Sequence, residues 1–365
     1  MPPQAGETEF QQSLKQNMPL APMTTLGIGG PARYFADVSR VDELVAGVAW
    51  ARSQNLPLFV LGGGSNLVVA DDGFPGLVLR VALRGIRTRV EAEQAVVTAA
   101  AGEDWDNLVA LCVERNWAGF ECLSGIPGRV GATPIQNVGA YGQETSETLV
   151  SLEALDLATG ELEELSAADC EFGYRSSRFK TRDRGRFIIT SVTYRLSIKR
   201  KPALRYPELQ RYVTSLGAAD PTLEQVRDSV LSLRRRKAMV IDALDPESRS
   251  VGSFFVNPIV TREESEHIKQ RVDRVVTLGE AMPTFATADD RVKLSAAWLI
   301  ERAGIHRGWV HGGVGTSTKH ALAIVNRGGG TAREVIELKE LIQSRVLDAF
   351  GVALTPEPVF VGFLR

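Results

Sequence analysis

Ser124-Gly125-Ile126-Pro127-Gly128-Arg129-Val130-Gly131-Ala132-Thr133-Pro134-Ile135-Gln136-Asn137-Val138-Gly139-Ala140-Tyr141-Gly142 carries five glycines and two prolines in 19 residues. Proline removes a backbone donor and glycine is entropically costly in a regular element, so neither an ordinary helix nor a central strand forms here. The small side chains let the backbone lie flat against a planar ligand, whose edge Gln136, Asn137 and Tyr141 can hydrogen-bond. A purely structural Ω-loop is the alternative, although loops of this length are usually functional.

A second glycine-rich turn lies upstream, in Val60-Leu61-Gly62-Gly63-Gly64-Ser65-Asn66-Leu67. It follows an apolar strand directly. Three glycines let the backbone approach a ligand and turn its N–H groups inward, while Ser65 and Asn66 add side-chain partners, an arrangement suited to a pyrophosphate. A plain tight turn is the alternative. The G-x-G-x-x-G dinucleotide pattern fails because Leu67 stands where its last glycine belongs. Gly27-x-Gly29-x-x-Ala32 fits a looser form, but no clear strand precedes it and Pro31 interrupts it. No G-x-x-x-x-G-K occurs, which excludes a P-loop.

Around these loops, short β-like runs are expected at Leu58–Leu61, Leu77–Val81, Val96–Ala100, Leu149–Leu157 and Phe187–Leu196. Helices are expected after Ser39, with Val41, Leu44, Val45 and Val48 on one face, and near Trp105–Arg115. The pattern is β-rich α+β without regular βαβ alternation. Beyond Gly217–Pro221 the character changes. Thr222–Gln225 and Thr331–Glu334 read as capping boxes, the second opening a long helix that ends at Gly351. Arg234, Arg235, Arg236 and Lys237 fall in the last turn of the first of these helices, where cations complement the dipole, and the three arginines are expected to be solvated. Arg291–Ala303 is expected as a further helix, stopped by Gly304. The predicted organisation is thus two domains, 1–217 and 218–365, with the last segment returning to the active site. A chain of 365 residues suits that number at about 150 residues per domain.

Composition narrows the function. Lys plus Arg is 42 and Asp plus Glu 44, so the net charge of −2 offers no surplus of cations for nucleic acid. At 44% hydrophobic and 24% charged the chain can build a sizeable core. No apolar run approaches the roughly 18 residues that span a bilayer, and the polar stretch Met1–Leu20 lacks a signal-peptide core and is expected as a frayed tail. Cys112, Cys122 and Cys170 form no C-x-x-C and the four histidines no H-E-x-x-H, so reduced cytosolic thiols and no metal are expected.

Taken together, these motifs resemble those of the UDP-N-acetylenolpyruvoylglucosamine reductases. The likeness spans Thr24-Thr25-Leu26-Gly27-Ile28-Gly29-Gly30, both glycine-rich loops, Gly173-Tyr174-Arg175-Ser176-Ser177-Arg178-Phe179-Lys180 and Gly252-Ser253-Phe254-Phe255-Val256-Asn257-Pro258. It closes with Lys293-Leu294-Ser295-Ala296-Ala297-Trp298-Leu299-Ile300-Glu301 and Pro356-Glu357-Pro358. The resemblance implies an FAD-binding domain of the vanillyl-alcohol-oxidase (PCMH) type, followed by a smaller α+β substrate-binding domain. It implies reduction of UDP-N-acetylglucosamine enolpyruvate to UDP-N-acetylmuramate, with NADPH as co-substrate, in peptidoglycan precursor synthesis. A cytoplasmic monomer is expected. Another flavin oxidase of the same fold is the alternative.

The resemblance also implies roles. FAD would rest its pyrophosphate on Gly62, Gly63, Gly64, Ser65 and Asn66. Its isoalloxazine would lie near Gly125, Ile126, Pro127, Gly128, Gly131 and Ala132, and near Gln136, Asn137, Gly139, Ala140 and Tyr141. Arg175 would clamp the enolpyruvyl carboxylate through paired N–H bonds, with Glu357 as its partner. Ser253 would donate the proton, made competent by nearby cations or a relay. Lys237 and Asn257 would hold the nucleotide diphosphate sugar. Tyr206, 31 residues after Arg175, looks like the tyrosine of the loop-bearing type. Val359 departs from the family, some of whose members carry a basic residue there.

Overall fold

The computed structural model describes residues 10–275, 281–287 and 289–363, and its architecture is α+β, as expected. The chain forms two compact units. The first takes the chain up to Met18, then Ala32–Gly64 and Pro75–Val240; the second takes Pro19–Pro31, Ser65–Phe74 and the chain from Ile241 onward. The boundary expected near residue 217 therefore falls inside the first unit, and two short excursions before residue 75 belong to the second.

Two larger sheets build the first unit, beside the two-stranded pair Gly139–Ala140 and Gln143–Glu144. One has four strands in the order Lys15–Pro19, Pro31–Val38, Phe74–Val81, Leu58–Leu61, the last pair parallel with Leu58 opposite Leu77. The other is antiparallel in the order Leu162–Ser166, Leu149–Asp156, Phe187–Ser197, Gln94–Ala100, Ile86–Glu91. Gln94–Ala100 shows why its register holds. Ala95, Val97 and Ala99 are buried on one face, and a one-residue slip would turn all three outward. Two helices pack here, α1 (Val41–Ser53) and α2 (Trp105–Glu114). The Ser39 signal is displaced by one residue. Arg40 is the N-cap of α1, while Glu43 accepts from the Ser39 and Arg40 backbone N–H groups and the Ser39 hydroxyl.

Trp105, Phe120 and Tyr194 lock α2 to the antiparallel sheet, with ring centroids 4.9 Å and 5.0 Å apart along the series. Their polar atoms are satisfied: Trp105 Nε1 donates to the Leu123 carbonyl at 3.1 Å, and the Tyr194 hydroxyl lies 2.7 Å from that of Thr133. Two further helices, α3 (Pro207–Ser215) and α4 (Leu223–Arg236), bury Leu209, Val213, Val226, Val230 and Leu233 with Cys122. That shared apolar cluster is the physical reason residues 223–236 belong to the first unit.

In the second unit the helices are α5 (Arg262–Val275), α6 (Ala296–Arg302) and α7 (Ala332–Phe350). Val335, Leu338, Ile342, Val346 and Phe350 of α7 are buried with Phe254, Phe255 and Leu299. The helix expected over Arg291–Ala303 is shorter. Val292–Leu294 is a strand between Ile259–Val260 and Thr284–Ala286, and Ser295 caps α6 by accepting from the Trp298 N–H at 3.3 Å. Pairing on both edges outweighs the helical periodicity there. The Thr24–Gly30 motif is absorbed by this unit's scaffold: Thr25 Oγ1 donates to the Ser250 carbonyl at 2.6 Å, and Asn326 Nδ2 to that of Leu26 at 3.0 Å. Val359–Val361 returns to pair in parallel with Leu67–Val69.

The frayed tail expected over Met1–Leu20 is corrected where the residues are described. Phe10 is buried in the first unit's core and Lys15–Pro19 is a paired strand; residues 1–9 lie outside the described residues. Among the described residues no helix is long and apolar enough to cross a membrane.

Both capping boxes form as read from sequence, and that of α7 is tightly built. Thr331 Oγ1 accepts from the Glu334 N–H at 3.2 Å, and Glu334 Oε2 accepts from the Thr331 N–H at 2.8 Å. Thr331→Ala is expected to lower stability by about 1 kcal/mol. A urea midpoint shifted down with an unchanged slope, and restored by Thr331→Ser, is the expected reading.

Candidate active site

Within the first unit the two glycine loops touch backbone to backbone. A Cβ on Gly63 would lie 2.7 Å from the Cα of Gly128, and one on Gly131 would lie 2.5 Å from the Cβ of Ala101. Gly64, Gly125 and Gly128 have φ of 64°, 70° and 136°, the region glycine enters without steric penalty. The second loop is seated on α2: Gly125 N–H donates to Asp106 Oδ1 at 2.6 Å, and Trp105 N–H to the Gly128 carbonyl at 3.2 Å. Among the described residues the backbone N–H groups of Gly62, Gly63 and Gly64 serve no hydrogen bond. Three neighbouring donors on a side-chain-free ribbon are the chemistry of an anion cradle.

Arg175 belongs to the same unit and meets this loop. Its Nη2 donates to the Gly139 carbonyl at 2.6 Å. The residue has φ 52°, a left-handed conformation that a non-glycine residue holds only when its surroundings impose it. Those surroundings are visible. Lys180 Nζ donates to the Arg175 carbonyl at 3.2 Å, Ser177 Oγ to that of Ile135 at 2.5 Å, and Asn137 Nδ2 to that of Gly173 at 3.1 Å. Asn137 also donates to Glu144 at 2.7 Å and accepts from the Ser146 N–H at 3.0 Å. Its side chain is therefore committed to the scaffold, and only its backbone is left to face a ligand.

Tyr141, Tyr206 and Lys237 come together beside the second loop. Tyr141 and Tyr206 pack edge to face with centroids 5.5 Å apart, and burial pushes both phenols up, so both stay neutral donors. Tyr206 opens α3 and Lys237 closes α4. Lys237 Nζ is held by Glu208 Oε2 at 2.6 Å, a pairing not read from the sequence. Arg234 is the other residue missed. Far from a solvated helix-end charge, it has a buried Nε with no partner among the described residues. Only its place on the apolar side of α4, one position after Leu233, could have hinted at this.

In the second unit Ser253 and Glu357 stand on neighbouring segments. Glu357 N–H donates to the Phe254 carbonyl at 2.9 Å, and Phe255 bridges Pro356. Gly252, with φ 76°, turns the chain just before Ser253. Asn66 Nδ2 donates to the Glu357 carbonyl at 3.3 Å, and Val359 N–H to that of Asn66 at 2.9 Å, so Asn66 is tied to the same segment. Val359 thus serves the strand. Asn257 Oδ1 accepts from the Ala296 N–H at 3.0 Å, so one end of that amide holds the start of α6.

Comparison with known proteins follows the same division. Residues 245–361 match the family model of the UDP-N-acetylenolpyruvoylglucosamine reductase C-terminal domain, and residues 32–166 that of an FAD binding domain. The chain is 48% identical over 352 residues to the UDP-N-acetylenolpyruvoylglucosamine reductase of Thermobifida fusca, covering 96% of this chain and 98% of that one. It is 44% identical over 346 residues to the reductase of Streptomyces coelicolor, covering 94% and 89%. The crystal structure of UDP-N-acetylenolpyruvylglucosamine reductase from Thermus caldophilus shares the fold at a TM-score of 0.63 and 24% identity, over 95% of this chain and 98% of that one.

Behind the Arg175 turn runs a chain of ion pairs. Arg178 Nε holds Asp183 at 2.6 Å, and Arg186 Nη2 holds the buried Asp156 at 2.6 Å. The Arg186 bond keeps the Asp156 carboxyl at about 2, below its ordinary 3.8. A lowered folded-state value means that this stabilisation is complete above the ordinary value and is lost as pH falls through the folded one. The turn should therefore loosen between about pH 4 and 2. Asp156→Asn is expected to weaken the protein at neutral pH and flatten its acid limb; an unaltered acid-unfolding profile would remove the pair from this role.

Proposed function

The chain belongs to the UDP-N-acetylenolpyruvoylglucosamine reductase family, and from that premise we propose that it reduces UDP-N-acetylglucosamine enolpyruvate to UDP-N-acetylmuramate with electrons from NADPH. It is an FAD-dependent oxidoreductase of peptidoglycan precursor synthesis, working in the cytoplasm as a monomer. FAD, when bound, supplies the hydride carrier, and the protein supplies orientation and charge.

The residues present fit that group. The open N–H groups of Gly62, Gly63 and Gly64 suit its pyrophosphate, joined by Ser65 and Asn66. The ribbon from Gly125 through Gly131 and Ala132 to Tyr141 lacks the side chains that would keep a flat ring system away. The meeting of Arg175 with Gly139 carries this reading, because it sets a guanidinium on the same ribbon that would receive the ring.

Each residue then has one task. Hydride adds to the β-carbon of the enol ether, and negative charge builds toward the carboxylate. Arg175, with Glu357, holds that carboxylate and stabilises the charge. Ser253 delivers a proton to the α-carbon, which completes the saturated ether. The diphosphate takes Lys237 from Glu208, with Tyr206 over it and Asn257 along the sugar. A lysine suits this exchange, since its ammonium is a point charge that serves a carboxylate or a phosphate equally. Reduced nicotinamide uses the substrate site in turn, so the absence of a separate dinucleotide fingerprint is consistent with a ping-pong cycle.

Rapid mixing tests the division. NADPH should bleach the flavin in wild type and in Ser253→Ala alike, while reoxidation by the enolpyruvyl substrate should collapse in the variant by about a hundredfold or more. Equal loss in both halves would reject Ser253 as proton donor. Reoxidation by air but not by that substrate would indicate an oxidase of the same fold instead.

A further inference from the structure

Glu121 stands just upstream of the second glycine-rich loop, and its side chain is buried. Among the described residues no cation pairs with it. Three donors converge on it instead. Oε2 accepts from the Gly119 N–H at 2.8 Å, while Oε1 accepts from Gln143 Nε2 at 2.8 Å and from the Ala203 N–H at 2.9 Å. Gln143 is buried as well, and its Oε1 accepts from the Cys122 N–H at 2.8 Å. A carboxylate taken out of water is costly unless hydrogen bonds compensate it, and it is the side chain that accepts at two oxygens and donates at neither. Glu121 therefore gathers three segments at one point: its own turn, the end of the glycine-rich loop and the chain at Ala203.

The third segment leads to Tyr206. Ala203 lies three residues before it, in a stretch between the strand Phe187–Ser197 and α3 that belongs to no helix or strand. Both backbone polar groups of Ala203 are captured, its N–H by Glu121 and its carbonyl by the Cys122 thiol at 3.2 Å. From there the chain follows the glycine-rich loop. A Cβ on Gly142 would lie 3.0 Å from that of Arg205, and Arg205 Nη1 donates to the Gly142 carbonyl at 3.3 Å. Tyr206 then packs edge to face on Tyr141. Arg205 is exposed, so water competes for its bond, whereas a donor left unpaired at buried Glu121 carries the full cost of desolvation.

We infer that Glu121 is a positioning residue for the substrate, acting through Tyr206. It fixes the base of the Tyr206 segment on the loop and so sets where the phenol stands over the diphosphate. The inference rests on the place given to Tyr206 in the reaction above. Geometry separates the two conservative substitutions. Glutamine keeps an oxygen at the Oε1 position for Ala203 and Gln143 and turns its amide nitrogen toward Gly119. Aspartate, one methylene shorter, keeps the nearby Gly119 N–H and falls short of Ala203.

Steady-state kinetics of the FAD-loaded enzyme test this. Glu121→Asp is expected to raise KM for UDP-N-acetylglucosamine enolpyruvate about tenfold, while Glu121→Gln stays within about threefold of wild type. A double-mutant cycle supplies the readout that a general structural role would not move: in the Tyr206→Phe background, Glu121→Asp should raise KM no further. Additive effects would overturn the proposal, as would an unchanged KM in Glu121→Asp. A glutamine variant as impaired as the aspartate one would also overturn it, because the charge and not the reach would then be essential. Should Glu121→Asp fail to fold, hydrogen exchange decides: an Ala203 amide that exchanges slowly in wild type and in Glu121→Gln supports the hold, and one that exchanges as fast as its exposed neighbours overturns it. A KM unaffected by Tyr206→Phe alone would remove Tyr206 from the diphosphate and the proposal with it. Wild-type enzyme without turnover of this substrate would instead reject the functional reading on which both depend.

Discussion

One close approach, the backbone of Gly63 against that of Gly128, governs how the first unit's two glycine-rich loops meet. A side chain on Gly63 would strike Gly128, whose own φ of 136° favours glycine, so two ribbons from distant parts of the sequence can share a seam without filling it. Glycine is a poor choice for stability, since it surrenders the most backbone freedom on folding. Its repeated use here reflects a surface shaped for something other than the chain's own side chains.

Rigid supports surround this thin-walled surface. Beneath it, Trp105, Phe120 and Tyr194 fasten α2 to the antiparallel sheet, and Asp106 on α2 holds the loop at Gly125. Beside it, Asn137 and Ser177 fix the turn that presents Arg175 in a left-handed conformation. The strain at Arg175 is of order 1–3 kcal/mol, and several buried hydrogen bonds of about 1 kcal/mol each can offset it. Arg175 is thus held in this conformation by its neighbours, not by its own propensity.

Sequence reading succeeded where a signal was local. The capping boxes at Thr222 and Thr331, the stop at Gly351 and the strand expected at Val96–Ala100 each rest on a few adjacent residues, and each forms, the strand beginning at Gln94. It failed where pairing with remote segments decided the outcome. Val292–Leu294 joins strands on both edges instead of extending α6, and Phe10 finds a place in a core that its polar surroundings conceal. The expected boundary near residue 217 rested on a change of composition, but the apolar cluster of α3 and α4 with Cys122 holds that region in the first unit.

The candidate site divides along the same line. The glycine loops, Arg175, Ser253, Glu357 and Tyr206 could be singled out as candidates because their neighbours in sequence form motifs, and a motif is short-range information. Commitment of the Asn137 side chain to the scaffold, the hold of Glu208 on Lys237 and the unpaired Nε of Arg234 were not legible. Each depends on which group, tens of residues away, takes or refuses a hydrogen bond. Residue types and local spacing determined the fold class and the chemical vocabulary of this protein. Only the tertiary structure decided which charges are satisfied, because desolvation and pairing are properties of packed neighbours and not of chain order.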